Sequence, residues 1–400
     1  MSKVKALRTA VRLLLLAAAL FFAIGGPLPV WMERIVPSLS PLTLITESIA
    51  QRVWYAGLFW ALPPLAVLAL AVWKGRFFCQ WLCPLGTLYS LPGKIRKPKH
   101  GGASASMPAD GEAAVPPKKK ILPVRLNALV FWIVISAALC GLPALLFLDP
   151  LSTFSRLGAW SAWIPGLLIP IFLLLSLFQP QVWCTHLCPL GYCFDLVNLK
   201  TGRPVFNRDR RQFIAGLGIG IPAALLLPKL VKGKAKPSIL PPGATEQFAG
   251  ICTRCYACIS ACPVKIIRVK AGGGLTELFM PELRFDNGTC EESCNQCSQV
   301  CPTGAIRTLT YQQKHRTQIG LAKIEKEKCL AWTDNEYCMV CDEYCSYRAF
   351  DTEWHGDVAC PVVNETLCRG CGACENACPA VRAGKAIFVH PINPQQTVKG

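Results

Sequence analysis

What the 400-residue chain lacks narrows its chemistry. It has no Gly-x-Gly-x-x-Gly loop and no Walker sequence, so neither a dinucleotide nor a nucleoside phosphate is an expected cofactor. It has no Cys-x2-Cys-His, which excludes covalently attached c-type haem. Histidine is scarce: His100, His186, His315, His355 and His390 are all there are. None lies in a long apolar run, which excludes a b-type haem held between paired histidines there. No acid/base pair or activated nucleophile stands out, and neither haem, flavin nor nucleotide is expected. Acidic residues are few in the first part of the chain: residues 1–237 hold 26 Lys or Arg against 7 Asp or Glu, and residues 238–400 hold 16 against 17. Nearly all of the +18 charge therefore sits in the first part. Nucleic-acid binding would place such charge as a stripe on a folded domain. Here it flanks apolar runs, as in the cytoplasmic loops of membrane proteins, and no nucleic-acid partner is expected.

Five runs carry that pattern: Leu13 to about Val30, Val53–Trp73, Leu126–Leu148, Trp163–Phe178 and Phe213–Leu227. Each is near the length that crosses about 30 Å of hydrocarbon at 1.5 Å per residue. A single such run could equally be a buried core helix; five with consistent flanking charge predict five crossings. The basic clusters near Lys3, Arg96, Lys119 and Arg203 place the N-terminus in the cytoplasm and the C-terminal part on the other side. Three regions follow: a membrane domain of two repeated halves over 1–205, a fifth membrane helix over 206–237, and a cysteine-rich domain over 238–400. His100 to Pro117 reads as a connector without chemistry.

Cysteine is abundant, with 23 residues. Arg76-Phe-Phe-Cys-Gln-Trp-Leu-Cys-Pro-Leu-Gly is echoed from Gln181 as Gln-Val-Trp-Cys-Thr-His-Leu-Cys-Pro-Leu-Gly. The pairs Cys79/Cys83 and Cys184/Cys188 are spaced i, i+4, so each can lie on one side of a helical turn. Brought together by the repeat, they suit one 4Fe-4S cluster or a tetrahedral zinc site; free buried thiols are the alternative, as expected for Cys140 and Cys193. Further on, Cys252, Cys255, Cys258 and Cys262 form the complete bacterial ferredoxin run before a proline, and Cys368, Cys371, Cys374 and Cys378 form another. Cys290, Cys294, Cys297 and Cys301 make a third set, and Cys329, Cys338, Cys341 and Cys345 a looser fourth. These sixteen thiolates predict four 4Fe-4S clusters in an α+β polyferredoxin domain. Each set is expected to give its last cysteine to a partner set, which spacing does not identify. Cys360 is left over. Phe248, Ile266, Ile267 and Ile306 are expected to pack on the clusters. His186 is expected to be an ordinary hydrogen-bonded histidine.

The first part resembles the NapH family of membrane ferredoxin-type proteins, through the paired Cys-x3-Cys-Pro motifs and the four-span core. Residues 206–390 resemble the NapG/MauM family of exported ferredoxin-type proteins, through the four sets in order and the Cys329-Leu-Ala-Trp332 opening. The fold these imply is a multi-span α-helical membrane domain fused to a polyferredoxin domain of ferredoxin-like modules. Arg210-Arg211-Gln-Phe213 resembles a twin-arginine export signal, retained as an internal anchor. Together the resemblances imply an electron-transfer subunit of the bacterial inner membrane with its ferredoxin domain in the periplasm. It would take electrons from quinol or menaquinol and pass them to a periplasmic redox enzyme or c-type cytochrome, with other respiratory subunits as further partners. A redox-sensing or maturation protein is the alternative. On this topology the first cysteine set would lie roughly 30 Å from the ferredoxin domain.

Overall fold

The computed structural model describes residues 2–23, 34–51, 58–92, 126–140, 148–158, 167–179, 181–198, 210–230, 237–272, 277–380 and 384–398. The connector at 100–117 and the basic positions Arg96, Lys119, Arg203 and Lys232 to Lys236 lie outside them.

Up to residue 230 the described structure is helical. Its main elements are α1 (Ser2–Ala23), α2 (Pro41–Gln51), α3 (Leu58–Lys74), α4 (Asn127–Leu139), α5 (Pro150–Ser155), α6 (Leu168–Phe178), α7 (Pro189–Val197) and α8 (Arg210–Leu230). They surround a core that includes Leu42, Leu85, Phe131, Phe154, Leu190 and Phe194. Asp149 is completely buried and caps α5, accepting from the N–H groups of Leu151 and Ser152 at 3.1 and 3.0 Å and from the Ser40 hydroxyl at 2.7 Å. A carboxylate is favoured there because the first-turn N–H groups have no partner within the helix.

Among the described residues no helix is long and apolar enough to cross a membrane, and this overturns the expected multi-span domain and its five-crossing topology. The described helices within the apolar runs are short. With 17, 13 and 11 residues, α3, α4 and α6 rise about 26, 20 and 17 Å, short of about 30 Å. The longer α1 carries Arg8 and Arg12 in its body, and α8 is charged at both ends by Arg210, Arg211 and Lys229. Nor is the basic charge only a flank. Arg12 is 9% exposed and donates to the Gly86 carbonyl and the Ser90 hydroxyl, each at 3.0 Å, and to the Thr87 hydroxyl at 3.2 Å. The twin-arginine pair begins α8, which packs along α4 instead of standing alone as an anchor.

From residue 237 the chain forms short helices and three two-stranded antiparallel sheets. β1 (Ile267–Val269) pairs with β2 (Pro281–Leu283), β3 (Thr317–Ile324) with β6 (Ile387–Thr397), and β4 (Phe350–His355) with β5 (Val358–Val363). The core is built of cysteines together with Phe248, Tyr256, Ile266, Ile267, Phe285 and Ile306. β3 and β6 join the middle of the domain to its C-terminal strand, in register from Gly320–Pro391 to Ile324–Ile387.

The α4–α8 contact depends on small residues. Trp132 meets Phe213 edge to face at 4.6 Å. One turn on, a Cβ at Gly216 would come within 2.6 Å of Trp132 Cβ, and a Cβ at Gly220 would run into the Ser136 hydroxyl. Gly218 has open space around it. Gly220→Leu should therefore force the helices apart and cost about 1–3 kcal/mol. Gly218→Ala should be neutral or stabilising by up to about 1 kcal/mol, through helix propensity. Thermal unfolding of the two variants checks both expectations.

Candidate metal centres

In the first half the sequence Cys-Pro shapes the site. A residue before proline is driven out of the helical region, and Cys83 (φ −64°, ψ 115°) and Cys188 (φ −62°, ψ 113°) take nearly the same extended conformation. The following prolines occupy the first turn of new helices, where a missing N–H costs nothing. The repeat is thus present in the backbone. It differs from a single helical turn per pair: Cys79 lies in the short helix Phe77–Trp81 and Cys184 in the π-turn Trp183–Leu187, while Cys83 and Cys188 stand at the break. The glycine three residues on donates its N–H to the thiol in each repeat, Gly86 to Cys83 at 3.4 Å and Gly191 to Cys188.

Cys79, Cys83, Cys184 and Cys188 line one cavity of about 140 Å³, together with Arg8, Arg12 and Arg76. Burial pushes the thiols up, Cys83 to about 11 and Cys188 to about 12, with Cys79 and Cys184 well above the ordinary value. Repulsion from neighbouring thiolates adds to the shift, while Arg76 opposes it at Cys79, Cys184 and Cys188. Arg76 is itself held by a two-pronged ion pair with Asp195. Four thiolates can share this space only around a cationic group. Among the described residues no three His, Cys, Asp or Glu side chains stand where they could hold a single metal ion, so the tetrahedral zinc alternative is unsupported. Four thiols with backbone N–H donors fit a 4Fe-4S cluster, in which each iron takes its own thiolate and the ligands need not meet at one point.

In the second half the structure identifies the partner sets. The Cys301 thiol is an electrostatic neighbour of Cys252, Cys255 and Cys258. The Cys262 thiol in turn neighbours Cys290 and Cys297. Each of the first two sets thus has the other's last cysteine beside it. The same holds for the other two. Cys329, Cys338, Cys341 and Cys378 line one small cavity, and Cys345 faces Cys368 and Cys371. Burial is the main cause wherever these thiols are raised, as for Cys252 (about 11) and Cys255 (about 12). Three of the four last cysteines receive a backbone N–H: Ile306 donates to Cys301, Ala349 to Cys345 and Ala386 to Cys378, all at 3.3 Å. Left-handed residues shape the loops that carry the triplets, Arg254 and Tyr256 in the first and Gly370 and Gly372 in the last. A side chain at Gly372 would enter the Phe285 ring.

The sets follow one another in space. Cys290 N–H donates to Cys371 O at 2.9 Å, joining the first pair to the second, and Cys341 neighbours Cys374. At the other end, α5 joins the two halves of the chain. Pro150, at its start, lines the four-thiol cavity. At its end the Ser155 hydroxyl donates to Cys255 O at 2.9 Å and Arg156 Nε to Arg254 O at 3.0 Å. The separation of roughly 30 Å expected from a membrane crossing is replaced by one helix of six residues.

His186 is buried and bonded to Thr185 at 2.6 Å. Cys360 places its S–H against Ala331 O at 3.3 Å, Cys193 is buried and Cys140 half-buried. The arginines were not legible as site residues. Arg12, Arg76 and Arg156 look in sequence like the flanks of apolar runs.

Comparison with known proteins bears on both halves. The family described as a 4Fe-4S binding domain matches residues 56–101 and 161–209, which contain the two paired motifs. A 4Fe-4S dicluster domain matches 251–305, and a further 4Fe-4S binding domain matches 361–381. Ferredoxin-type protein NapF of Escherichia coli (strain K12) is 35% identical over 161 residues, spanning 39% of this chain and 89% of NapF. Ferredoxin-type protein NapG of the same organism is 29% identical over 209 residues, 48% of this chain and 87% of NapG. Methylamine utilization ferredoxin-type protein MauM of Methylobacillus flagellatus is 26% identical over 196 residues, 45% of this chain and 81% of MauM. No solved structure matches the chain. The chain thus contains several 4Fe-4S-binding segments and a polyferredoxin-like part of the NapG/MauM type. The NapH-like membrane half is overturned: the matching families are described by 4Fe-4S binding alone, and no described helix is long and apolar enough to cross a membrane. The membrane-anchored, quinol-facing role and the inner-membrane placement fall with it.

The exchange of last cysteines has a direct test. Cys301→Ser should remove about four irons, one cubane's worth, through loss of the centre expected at Cys252, Cys255 and Cys258. The centre of Cys290, Cys294 and Cys297 should be kept. Iron assay and EPR of this variant beside Cys262→Ser, where the losses should be reversed, check it.

Proposed function

We propose, given that this chain belongs to the family of ferredoxin-type proteins that includes NapF, that it is an electron-transfer protein whose twenty paired and tripled cysteines bind five 4Fe-4S clusters. Four are held in the second half: by Cys252, Cys255, Cys258 and Cys301; by Cys290, Cys294, Cys297 and Cys262; by Cys368, Cys371, Cys374 and Cys345; and by Cys329, Cys338, Cys341 and Cys378. A fifth is held by Cys79, Cys83, Cys184 and Cys188. When bound, each cluster supplies a site that takes and gives up one electron. The protein's own part is to hold the thiolates, keep water from them and aim backbone N–H groups at the sulfurs, which tunes the potentials. The observation that carries the reading is the order of the sets. The four-thiol cavity meets the Cys252 loop through α5, and Cys290 meets Cys371 directly.

Such an order has two ends, and the partners belong there. The set of Cys329, Cys338, Cys341 and Cys378 is at one end, with Cys338, Cys341 and Cys378 only half-buried. Tyr337 and Tyr344 are exposed beside it, as are Asp334, Glu336 and Glu343. A redox protein with a basic face, such as a c-type cytochrome, suits this end; a redox enzyme of the same charge would meet the same groups.

Two measurements test the reading. Fully loaded, anaerobically prepared protein should contain roughly twenty irons, four for each cubane, and fewer than twelve would overturn it. Electron transfer from the reduced chain to cytochrome c should slow as salt is added, and Glu343→Lys should slow it several-fold at low ionic strength. Stopped-flow kinetics reads both effects.

A further inference from the structure

Arg156 is a long cationic side chain whose burial the helical packing of the first half does not account for. It is 2% exposed, and it reaches out of its own half of the chain into the loop that carries Cys252, Cys255 and Cys258. Its Nε donates to Arg254 O at 3.0 Å and its Nη1 to the Thr153 hydroxyl at 3.3 Å. The guanidinium lies 5.9 Å from the centre of the Tyr256 ring. Next to it, the Ser155 hydroxyl binds Cys255 O at 2.9 Å. Arg254 and Tyr256 both have positive φ, 55° and 64°, so the loop turns sharply at the two residues Arg156 touches. The carboxyl whose field reaches the guanidinium is Asp149, which is completely buried at the far end of α5, where it caps the helix.

We propose that Arg156 is a positioning residue for the cluster bound by Cys252, Cys255, Cys258 and Cys301, and that its charge holds that cluster's reduction potential above the value it would otherwise have. The proposal rests on the reading that these four thiols bind a cluster. A cluster gains negative charge on reduction, and a cation fixed nearby in a medium of low dielectric favours the reduced form. The same side chain fixes the Arg254 carbonyl, so the loop's N–H groups stay turned toward the sulfurs. The first half of the chain thereby sets the chemistry of a centre whose ligands all lie in the second half.

The test is an EPR-monitored redox titration of the loaded full-length protein and of Arg156→Met and Arg156→Lys. The Cys301→Ser variant identifies which signal belongs to this centre. In Arg156→Met the ratio of reduced to oxidised centre at a fixed ambient potential should fall about tenfold, a shift of about 59 mV for one electron. Arg156→Lys should recover most of it, and the other centres should not move. An unmoved midpoint at full iron content would overturn the proposal, as would an equal shift of every centre. Loss of this cluster from both variants would also overturn it, by showing that the side chain only packs. Failure of the ligand reading looks different: the signal would survive in Cys301→Ser, whatever Arg156 does.

Discussion

The structure depends on one electrostatic constraint: thiolates buried close together cannot all be charged unless something cationic lies between them. Burial is the main cause that raises Cys83 to about 11 and Cys255 to about 12, and neighbouring thiolates add to the shift at Cys255. An apolar core could satisfy such sulfurs only as protonated thiols. The surroundings are instead those of charged sulfur, with N–H groups from Gly86, Ile306, Ala349 and Ala386 directed at it. Bound clusters crosslink the chain, and binding free energy becomes folding free energy. Sheets of two strands, which would be marginal by themselves, can then serve as the frame.

The second organising contact is between the halves. α5 is a short helix, but its two ends touch two different cysteine sites. Asp149 fixes one end by capping it, and Arg156 fixes the other by reaching into the Cys252 loop. Arg34 adds a further link, donating to Gln299 O at 3.4 Å, near Cys301. These contacts replace the two separately placed domains that the charge pattern implies.

What could be read beforehand follows the range of the interaction. The triplets at Cys252, Cys290 and Cys368 are local, because closely spaced cysteines wrap one corner of a cubane. Backbone conformation before proline is also local, and Cys83 and Cys188 follow it. The choice of fourth ligand is not local. Cys301 reaches the first triplet only because β1 and β2 fold the intervening segment back on itself. Charge misled for a related reason. A basic residue beside an apolar run reads the same whether it meets lipid headgroups or, like Arg12, a buried carbonyl and two hydroxyls. Hydropathy likewise does not report helix length, and the described helices in these runs have 17, 13 and 11 residues.

The exchange of last cysteines also bears on how such a chain is divided. With the proposed ligand sets Cys262 and Cys301 each complete the other's site, so no single set can be removed without leaving an incomplete site behind. The same is true of Cys345 and Cys378. The structural unit is therefore a pair, and the seam between pairs falls where Cys290 N–H meets Cys371 O and where Gly372 leaves room for the Phe285 ring.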